Sequence, residues 1–189
     1  MHKTFLLLFV LSVPVAAQAI GIGIKAGVPL NDALTLKPSN TLQYLQDTHR
    51  YTVGPYVELR LPANLVIEVD ALYRSYEFQR VIPLTARQSV SSWEFPVLGK
   101  YKLFGGPIQP YIEGGVSFSR LSDIPNIAEV IHRNNYGVVI GGGLELHLGK
   151  LRITPEVRYN GWVYRGLEGP LGQLRSNRNQ AAVLVGFGF

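Results

Sequence analysis

Apolar and polar residues alternate with a period of two through most of this chain, and this alternation constrains its fold more than any other feature. Eight segments follow the pattern, which is typical of β-strands with one apolar and one polar face. The apolar faces comprise 45 residues without a charge, whereas the polar faces comprise 40 residues with 14 charges. The eight segments are residues 20–28, 51–61, 65–74, 93–103, 111–118, 136–148, 151–163 and 180–189.

The connections between these segments alternate between short and long. Antiparallel neighbours need only tight turns, and short turns at one rim with long loops at the other are typical of bacterial outer-membrane barrels. The pattern therefore predicts an all-β protein, an eight-stranded antiparallel up-and-down transmembrane β-barrel. The predicted short connections are 62–64, 104–109 and 149–150, and the predicted long connections are 29–50, 78–91, 119–134 and 165–179.

Two closed barrels accommodate eight alternating strands, and they differ in the face that points inward. A soluble, lipocalin-like carrier encloses the apolar face, whereas a membrane barrel turns that face to lipid. An eight-stranded barrel is just wide enough for side chains to fill, so 45 apolar residues are hard to place inside it. Fourteen charges, seven of each sign, fit more easily because they can pair. The sequence therefore favours the membrane barrel.

Aromatic and proline residues refine this prediction. Aromatic side chains near both ends of the strands are typical of the two interfacial girdles of a membrane barrel. Pro55 and Pro155 each remove a backbone donor from the sheet, so we expect a bulge or local widening at each. The predicted girdles contain Tyr51, Tyr73, Trp93, Phe118 and Tyr136 at the long-loop ends, and Tyr101, Phe187 and Phe189 at the short-turn ends.

The first 19 residues have the features of a secretory signal peptide. Lys3 provides the positive charge, Phe5–Val13 the apolar region, and Ala17–Ala19 a small-x-small cleavage site. The apolar region is too short for a membrane-spanning helix, which needs about 20 residues. We therefore expect residues 1–19 to be removed and residues 20–189 to form the barrel. The chain has no cysteine, which excludes disulfides and thiolate chemistry.

Several motifs resemble those of a known family, the outer-membrane-protein β-barrel domain family, which is PorT-like and loosely grouped with small porins. Trp93–Tyr101 resembles its E-x-P-L-L-x-K-Y strand, Pro110–Gly115 its P-Y-x-x-x-G strand, and Thr154–Tyr159 its S-P-E-x-R-Y strand. Phe189, as the last residue, resembles the C-terminal signal that the barrel assembly machinery reads. The resemblance implies an outer-membrane location and no particular activity, because the family has no common one.

The inward charges allow two interpretations. One is a path or polar gate for protons or ions, and the other is a salt-bridged plug that fills a narrow lumen. Buried charges must be paired to be tolerated, and seven acids against seven bases is what pairing predicts, so the sequence favours the plug. The residues predicted to form its centre are Glu94, Lys100, Glu113, Glu156 and Arg158.

The sequence offers no convincing enzymatic site. His147 lies on an inward face near a short turn, where Glu145 and Arg152 are expected neighbours, and no nucleophile motif accompanies it. Glycine pairs such as Gly21 and Gly23 lie inside strands, so they do not form phosphate-binding loops and instead relieve crowding. We therefore expect no catalytic, cofactor-binding or metal-binding residues and no cofactor. A site built from distant loop residues stays open, and its candidates are Asp47, His49, Asp123 and His132.

The net charge of +5 does not by itself identify a partner of the protein. The inward charges cancel, and the predicted long loops carry an excess of three positive charges. A basic rim could contact lipid phosphates or an acidic partner, and an exported protein is no partner for nucleic acid. The first hypothesis is a structural or interaction protein that acts through its loops. The alternatives are a narrow porin-like channel for small solutes and, less favoured, a lipid-modifying enzyme.

Overall fold

A computed structural model describes the part of the chain in which the sequence predicts the barrel. The predicted signal peptide, residues 1–19, lies outside the described residues. The backbone is described for residues 20–30, 34–36, 43–45, 50–81, 86–123, 129–130, 134–164, 167–168 and 174–189. Side chains are described for residues 20–30, 51–75, 91–122, 134–164 and 177–189.

Long antiparallel strands form a closed barrel wall. The strands in chain order are β1 (Ile20–Pro29), β2 (Leu34–Leu36), β3 (Gln43–Leu45), β4 (Arg50–Arg60), β5 (Leu65–Asp70), β6 (Leu72–Val81), β7 (Ala86–Lys102), β8 (Ile108–Asp123), β9 (Glu129–Val130), β10 (Asn134–Leu148), β11 (Leu151–Trp162), β12 (Leu167–Glu168), β13 (Leu174–Ser176) and β14 (Asn179–Gly188). Strands β5 and β6 together form the third of the eight wall strands, and β1 pairs with both β4 and β14. The pairing of β1 with β14 closes the barrel, which confirms the predicted fold.

The wall alternates as the sequence predicts, with apolar side chains outward and polar side chains inward. In β5 the exposed residues Leu65, Ile67 and Val69 alternate with the buried residues Val66, Glu68 and Asp70. Because the sheet closes on itself, each wall strand has a neighbour on both sides and leaves no open edge. No helix in the described part of the chain is long and apolar enough to cross a membrane.

The two prolines interrupt the sheet without shifting its register. Pro55 accepts a hydrogen bond from the backbone of Ala71 at 2.9 Å but has no N–H to return, and β5 and β6 separate at this point. Beside Pro155 the pairing of β10 with β11 stops at Gly143 and resumes at Leu146 in the same register. The interrupted pairing agrees with the local widening expected at each proline. No bulge forms, because a missing donor removes a bond but inserts no residue.

A register shift lies elsewhere, near the long-loop end of β7 and β8. Ser91 pairs with Asp123, whereas the next residue, Ser92, pairs with Leu121. Ser122 is thus the extra residue of a β-bulge, and such bulges bend the strand and redirect its side chains.

The connections agree with the predicted alternation except at one place. The predicted loop 78–91 is mostly strand, because β6 continues to Val81 and β7 begins at Ala86. In the predicted short turns, Ala63, Asn64 and Gly149 have φ values of 61°, 62° and 67°, in the left-handed region that reverses the chain tightly. Segments of three long connections also pair into a small four-stranded sheet, in the order β2, β13, β12, β9.

Aromatic side chains form a row on the outer surface near the long loops, as predicted. The ring centroids of Tyr51 and Tyr73 lie 6.4 Å apart, those of Tyr73 and Trp93 5.5 Å, and those of Trp93 and Phe95 6.3 Å. Near the short turns, Tyr101 also has an exposed outward side chain, and so do Phe187 and Phe189. Both predicted girdles therefore exist on the outer face.

Inward glycines make room for the large polar side chains, which agrees with the role inferred for them. A Cβ atom on Gly143 would lie 2.8 Å from the hydroxyl of Tyr111 and 2.9 Å from Cβ of Glu156, and it would clash with the Pro155 carbonyl. The outward Gly99 has more room, since its nearest heavy atom would be the Gly114 carbonyl oxygen at 3.8 Å.

This contrast predicts the effect of two matched substitutions. Gly143→Ala is expected to lower the free energy of unfolding by about 1–3 kcal/mol, because the added methyl group overpacks the interior. Gly99→Ala adds the same methyl group in open space and is expected to leave stability almost unchanged. Urea unfolding of both variants in lipid vesicles checks this, and equal destabilisation of the two would contradict the tight packing of the interior.

Candidate functional site: the ionic core of the barrel

The barrel interior contains all 14 charged residues that the alternation assigns to the inward faces. Twelve of them are buried, and the other two, Arg60 and Lys102, lie towards the short-turn rim. They group into three clusters along the barrel axis, which we call the central, long-loop and short-turn clusters. The central cluster consists of Lys25, Glu68, Asp70, Lys100, Glu113, Glu156 and Arg158.

Arg158 on β11 is the hub of the central cluster, because its guanidinium contacts four carboxylates. Its Nε donates to Glu113 at 2.9 Å, Nη1 donates to Asp70 at 2.5 Å, and Nη2 lies 2.7 Å from Glu68 and 2.8 Å from Glu156. These carboxylates come from β5, β8 and β11 itself. One planar group with five donors thus connects strands on different sides of the barrel.

Two lysines complete the central cluster. Nζ of Lys25 on β1 donates to Glu68 at 2.5 Å and to Glu156 at 3.1 Å. Nζ of Lys100 on β7 lies 2.5 Å from the other oxygen of Glu68. The same ammonium group lies 4.6 Å from the ring centroid of Tyr111, whose hydroxyl donates to Glu156 at 2.7 Å. Glu68 is therefore held by all three cations of the cluster.

The long-loop cluster surrounds Glu94, which the sequence had assigned to the centre. Glu94 lies 2.6 Å from Nη2 of Arg74, and it accepts hydrogen bonds from Ser117 at 2.9 Å and Asn160 at 2.7 Å. Arg74 also donates to the side chain of Gln180 at 2.9 Å. Four of the five predicted central residues do meet, but Glu94 belongs to this separate cluster because β7 carries it closer to the long loops.

The short-turn cluster contains Glu58, Arg60, Lys102, Glu145, His147 and Arg152. Arg152 donates to Glu58 at 2.5 Å, and its Nη2 donates to the backbone oxygen of Phe189 at 2.9 Å. Glu145 lies 2.7 Å from Lys102 and 2.9 Å from His147. The predicted neighbours of His147 are confirmed, because Arg152 is its partner in the strand register.

The charges balance over the whole interior but not within each cluster. The central cluster has four carboxylates and three cations, whereas the short-turn cluster has two carboxylates and three permanent cations. The long-loop cluster is neutral, with one charge of each sign. The negative excess at the centre is therefore offset only by the neighbouring cluster, so equal counts in the sequence do not imply equal local pairing.

The most buried members of the central cluster have no contact with solvent. The side chains of Lys25, Glu68, Asp70 and Glu156 are 0% exposed. The arrangement is that of a plug, in which each charge exchanges hydration for ion pairs and hydrogen bonds.

One group of acidic side chains has the geometry of a metal site. Oxygens of Glu68, Glu113 and Glu156 all lie within 4.8 Å of one another. The three carboxylates are, however, already neutralised by Lys100 and Arg158 and by the lysine of β1, so an added divalent cation would meet three positive charges. The chemistry of the cluster thus fits ion pairing better than metal binding.

The imidazole of His147 contacts Glu145, and among the described side chains no nucleophile is hydrogen-bonded to it. The sequence left open a site formed by four loop residues, Asp47, His49, Asp123 and His132. Their side chains lie outside the described side chains. The buried charged side chains described in the interior are paired with one another.

Sequence reasoning did not assign Lys25, Glu68 and Asp70 to the centre, although it placed all three on inward faces. Their height along the axis depends on the stagger of neighbouring strands, because Lys25 pairs with Gly54 on one side and Gly186 on the other. The available signal was the charge spacing in β5, where Glu68 and Asp70 stand two residues apart on one face.

Solved structures share this architecture. The crystal structure of the outer membrane protein OprG from Pseudomonas aeruginosa is similar over 90% of this chain and 94% of that chain, with a TM-score of 0.64 and 15% identity. The chain has the fold of outer-membrane β-barrels. The solid-state NMR structure of the outer membrane protein AlkL in DMPC lipid bilayers is similar over 100% of this chain and 96% of that chain, with a TM-score of 0.57 and 13% identity.

These similarities concern the outer-membrane β-barrel fold and leave the activity open. The chain matches no protein-family profile, and no curated protein matches it in sequence. The narrower resemblance to the PorT-like family therefore stays a prediction. The apolar exterior and the ion-paired interior are those of a barrel that turns its apolar face to lipid, so the lipocalin-like alternative is wrong.

Proposed function

We propose that this protein is an integral barrel of a bacterial outer membrane whose role is structural or interactive and is exercised by its long extracellular loops. Residues 1–19 act as a cleaved signal peptide. The start of β1 and the end of β14 lie on the periplasmic side with the short turns. Within the outer-membrane barrels, the motifs around Trp93 and Pro155 support the PorT-like, small-porin grouping. Phe189 serves as the signal for the barrel assembly machinery.

The observation that carries this proposal is the distribution of polarity across the wall. Isoleucine, valine and aromatic side chains cover the outside, and the buried charges are paired inside. In water such an exterior would aggregate, whereas in a bilayer the same face is solvated by acyl chains. Because ion-paired side chains fill the interior, the barrel is better suited to a scaffold that presents its loops than to a channel.

The mobility of the protein on gels tests the barrel directly. The sample folded in detergent is expected to migrate differently from the boiled sample, because the closed, hydrogen-bonded wall resists unfolding until heated. Trypsin added to whole cells is expected to cut the basic long loops and to spare the short turns. An unchanged mobility after boiling, or a soluble periplasmic protein, would contradict the proposal.

Conductance separates the proposed scaffold from the narrow channel. Purified protein in planar bilayers is expected to give no stable unitary current, because the buried ion pairs at the centre, such as that of Lys25 with Glu68, occupy the interior of the barrel. A reproducible unitary current that Arg158→Ala changes would favour the channel instead. Turnover of phospholipid or glycolipid by the purified protein would favour the enzyme, which we propose it is not.

A further inference from the structure

A groove on the outer surface lies where β7 and β8 approach the long loops. It has a volume of about 570 Å³ and is lined by Trp93, Phe95, Arg120, Leu121 and Ser122. The groove coincides with the β-bulge at Ser122, which interrupts the regular wall. Bulges redirect side chains and recur next to functional sites. This place therefore differs from the smooth apolar wall around it.

Arg120 gives the groove its charge. Position 120 continues the outward face of β8 beyond Phe118, and its side chain is exposed. Among the described side chains of the wall strands, Arg120 is the one charge that points outward. The strand register places it opposite Trp93 on one side and Asn134 on the other. A single cation on an otherwise uncharged face is well placed to bind an anion there.

The groove is polar towards the loops and apolar towards the middle of the wall. Arg120 and Ser122 supply donors near the loops. Phe118 precedes Arg120 by two residues on β8, so it lies about 7 Å nearer the middle of the wall, where it pairs with Phe95. Such an arrangement matches a molecule with an anionic head and an apolar tail.

We infer that this groove binds a phosphate-bearing anionic lipid of the outer leaflet. The inference rests on the proposed outer-membrane location, which puts the long-loop end in that leaflet. The guanidinium of Arg120 takes the phosphate through paired N–H donors. The rings of Trp93 and Phe95 contact the first carbons of an acyl chain. A free phosphate would bind the N–H donors of Arg120 but would make no apolar contact with the rings of Trp93 and Phe95.

The two tryptophans of the chain make the groove observable. Trp162 points into the barrel and is buried, whereas Trp93 lines the groove. In a Trp162→Phe background, Trp93 is the remaining tryptophan, and its fluorescence is quenched by lipids with brominated acyl chains. Brominated phosphatidic acid, which is anionic, is compared with brominated phosphatidylcholine, which has no net charge, in vesicles of otherwise identical composition.

We expect Trp93 to select the anionic lipid over the zwitterionic lipid by about fivefold in relative association constant, as one basic residue at a membrane surface provides. Arg120→Gln is expected to reduce this ratio to about one. Lys150→Gln is the matched control, because it removes one exposed positive charge at the opposite rim and is expected to leave the ratio unchanged. About 1 M salt, with a Debye length of ~3 Å, is expected to weaken the preference.

The outcomes distinguish this inference from the proposed location. Quenching by both lipids with no preference, or a preference that survives Arg120→Gln, would overturn the lipid site while the membrane location stands. Loss of the preference in Lys150→Gln as well would reduce it to a net-charge effect and would also overturn the site. No quenching of Trp93 by either lipid would contradict the membrane location itself. Competition by inorganic phosphate alone would indicate a free anion as the ligand and overturn the lipid.

Discussion

Arg158→Met is expected to lower the free energy of unfolding of the barrel by about 3–5 kcal/mol, as loss of one partner of a buried ion pair does. Arg158 contacts four carboxylates, so its removal leaves the central cluster with two lysines against four acids. Methionine keeps most of the volume of the side chain, which separates the loss of charge from the creation of a cavity. Urea unfolding in lipid vesicles, followed by tryptophan fluorescence, measures the change.

The matched control is Arg120→Met, which makes the same chemical change on the exposed outer face. Both arginine variants are measured in phosphatidylcholine vesicles, which offer Arg120 no anionic lipid, and the control is expected to alter stability by less than about 0.5 kcal/mol. A second variant tests the charge argument itself. Asp70→Asn combined with Arg158→Met removes one of the orphaned acids, so the double variant is expected to be less destabilised than the two single variants added together. Strict additivity, or equal effects of the two arginine variants, would refute the hub role of Arg158.

Ile140→Arg is expected to destabilise the barrel in lipid by about 2–4 kcal/mol, because position 140 faces outward near the middle of β10. Its side chain is 58% exposed on the outer face, where the proposed surrounding is acyl chains. Leu148→Arg makes a similar change on the same strand and face, where Leu148 is 60% exposed, but at the short-turn rim. There the cost is expected to fall to about 0–1 kcal/mol.

The difference in unfolding free energy between Ile140→Arg and Leu148→Arg depends on depth in the bilayer. The two positions share a strand and a similar side-chain exposure, and they differ in their distance from the rim of the barrel. Measured in vesicles, a larger cost at position 140 than at position 148 is the expected sign of a hydrocarbon layer around the wall. If both arginines cost the same, or if Ile140→Arg stabilises the protein, the outer face does not lie in lipid. The same pair compared in detergent is expected to show a smaller difference, since arginine reaches water more easily there.

The strand pattern predicted the wall well because side-chain alternation is a local property of an extended chain. Uncharged positions such as Ile22, Val97 and Val157 were assigned outward from the period alone, and all three are exposed. The equal numbers of acidic and basic residues on the inward faces also indicated an ion-paired interior. At Pro55 and Pro155 the pairing is interrupted, as the expected local widening requires, but the register does not shift. The loop predicted at 78–91 was wrong, because β6 and β7 continue their pairing there.

The clusters could not be predicted in the same way, because they depend on how far each strand slides along the next. Glu94 and Lys100 share one face of one strand, yet Glu94 contacts Arg74 and Lys100 contacts Glu68. The closest acidic partners of Lys25 are Glu68 and Glu156, which lie 43 and 131 positions further along the chain. Such contacts follow from the stagger and closure of the whole sheet, which no single segment encodes.

The sequence by itself determined which side of each strand faces lipid and which faces the axis, because a period of two and the cost of an unpaired charge in hydrocarbon allow one arrangement. The tertiary structure alone decided which charges meet, with Arg158 as the hub, Glu94 set apart and Arg120 left on the outer face beside Trp93. The physical reason is that alternation acts over two residues, whereas ion pairing in a closed barrel depends on the relative height of all eight wall strands.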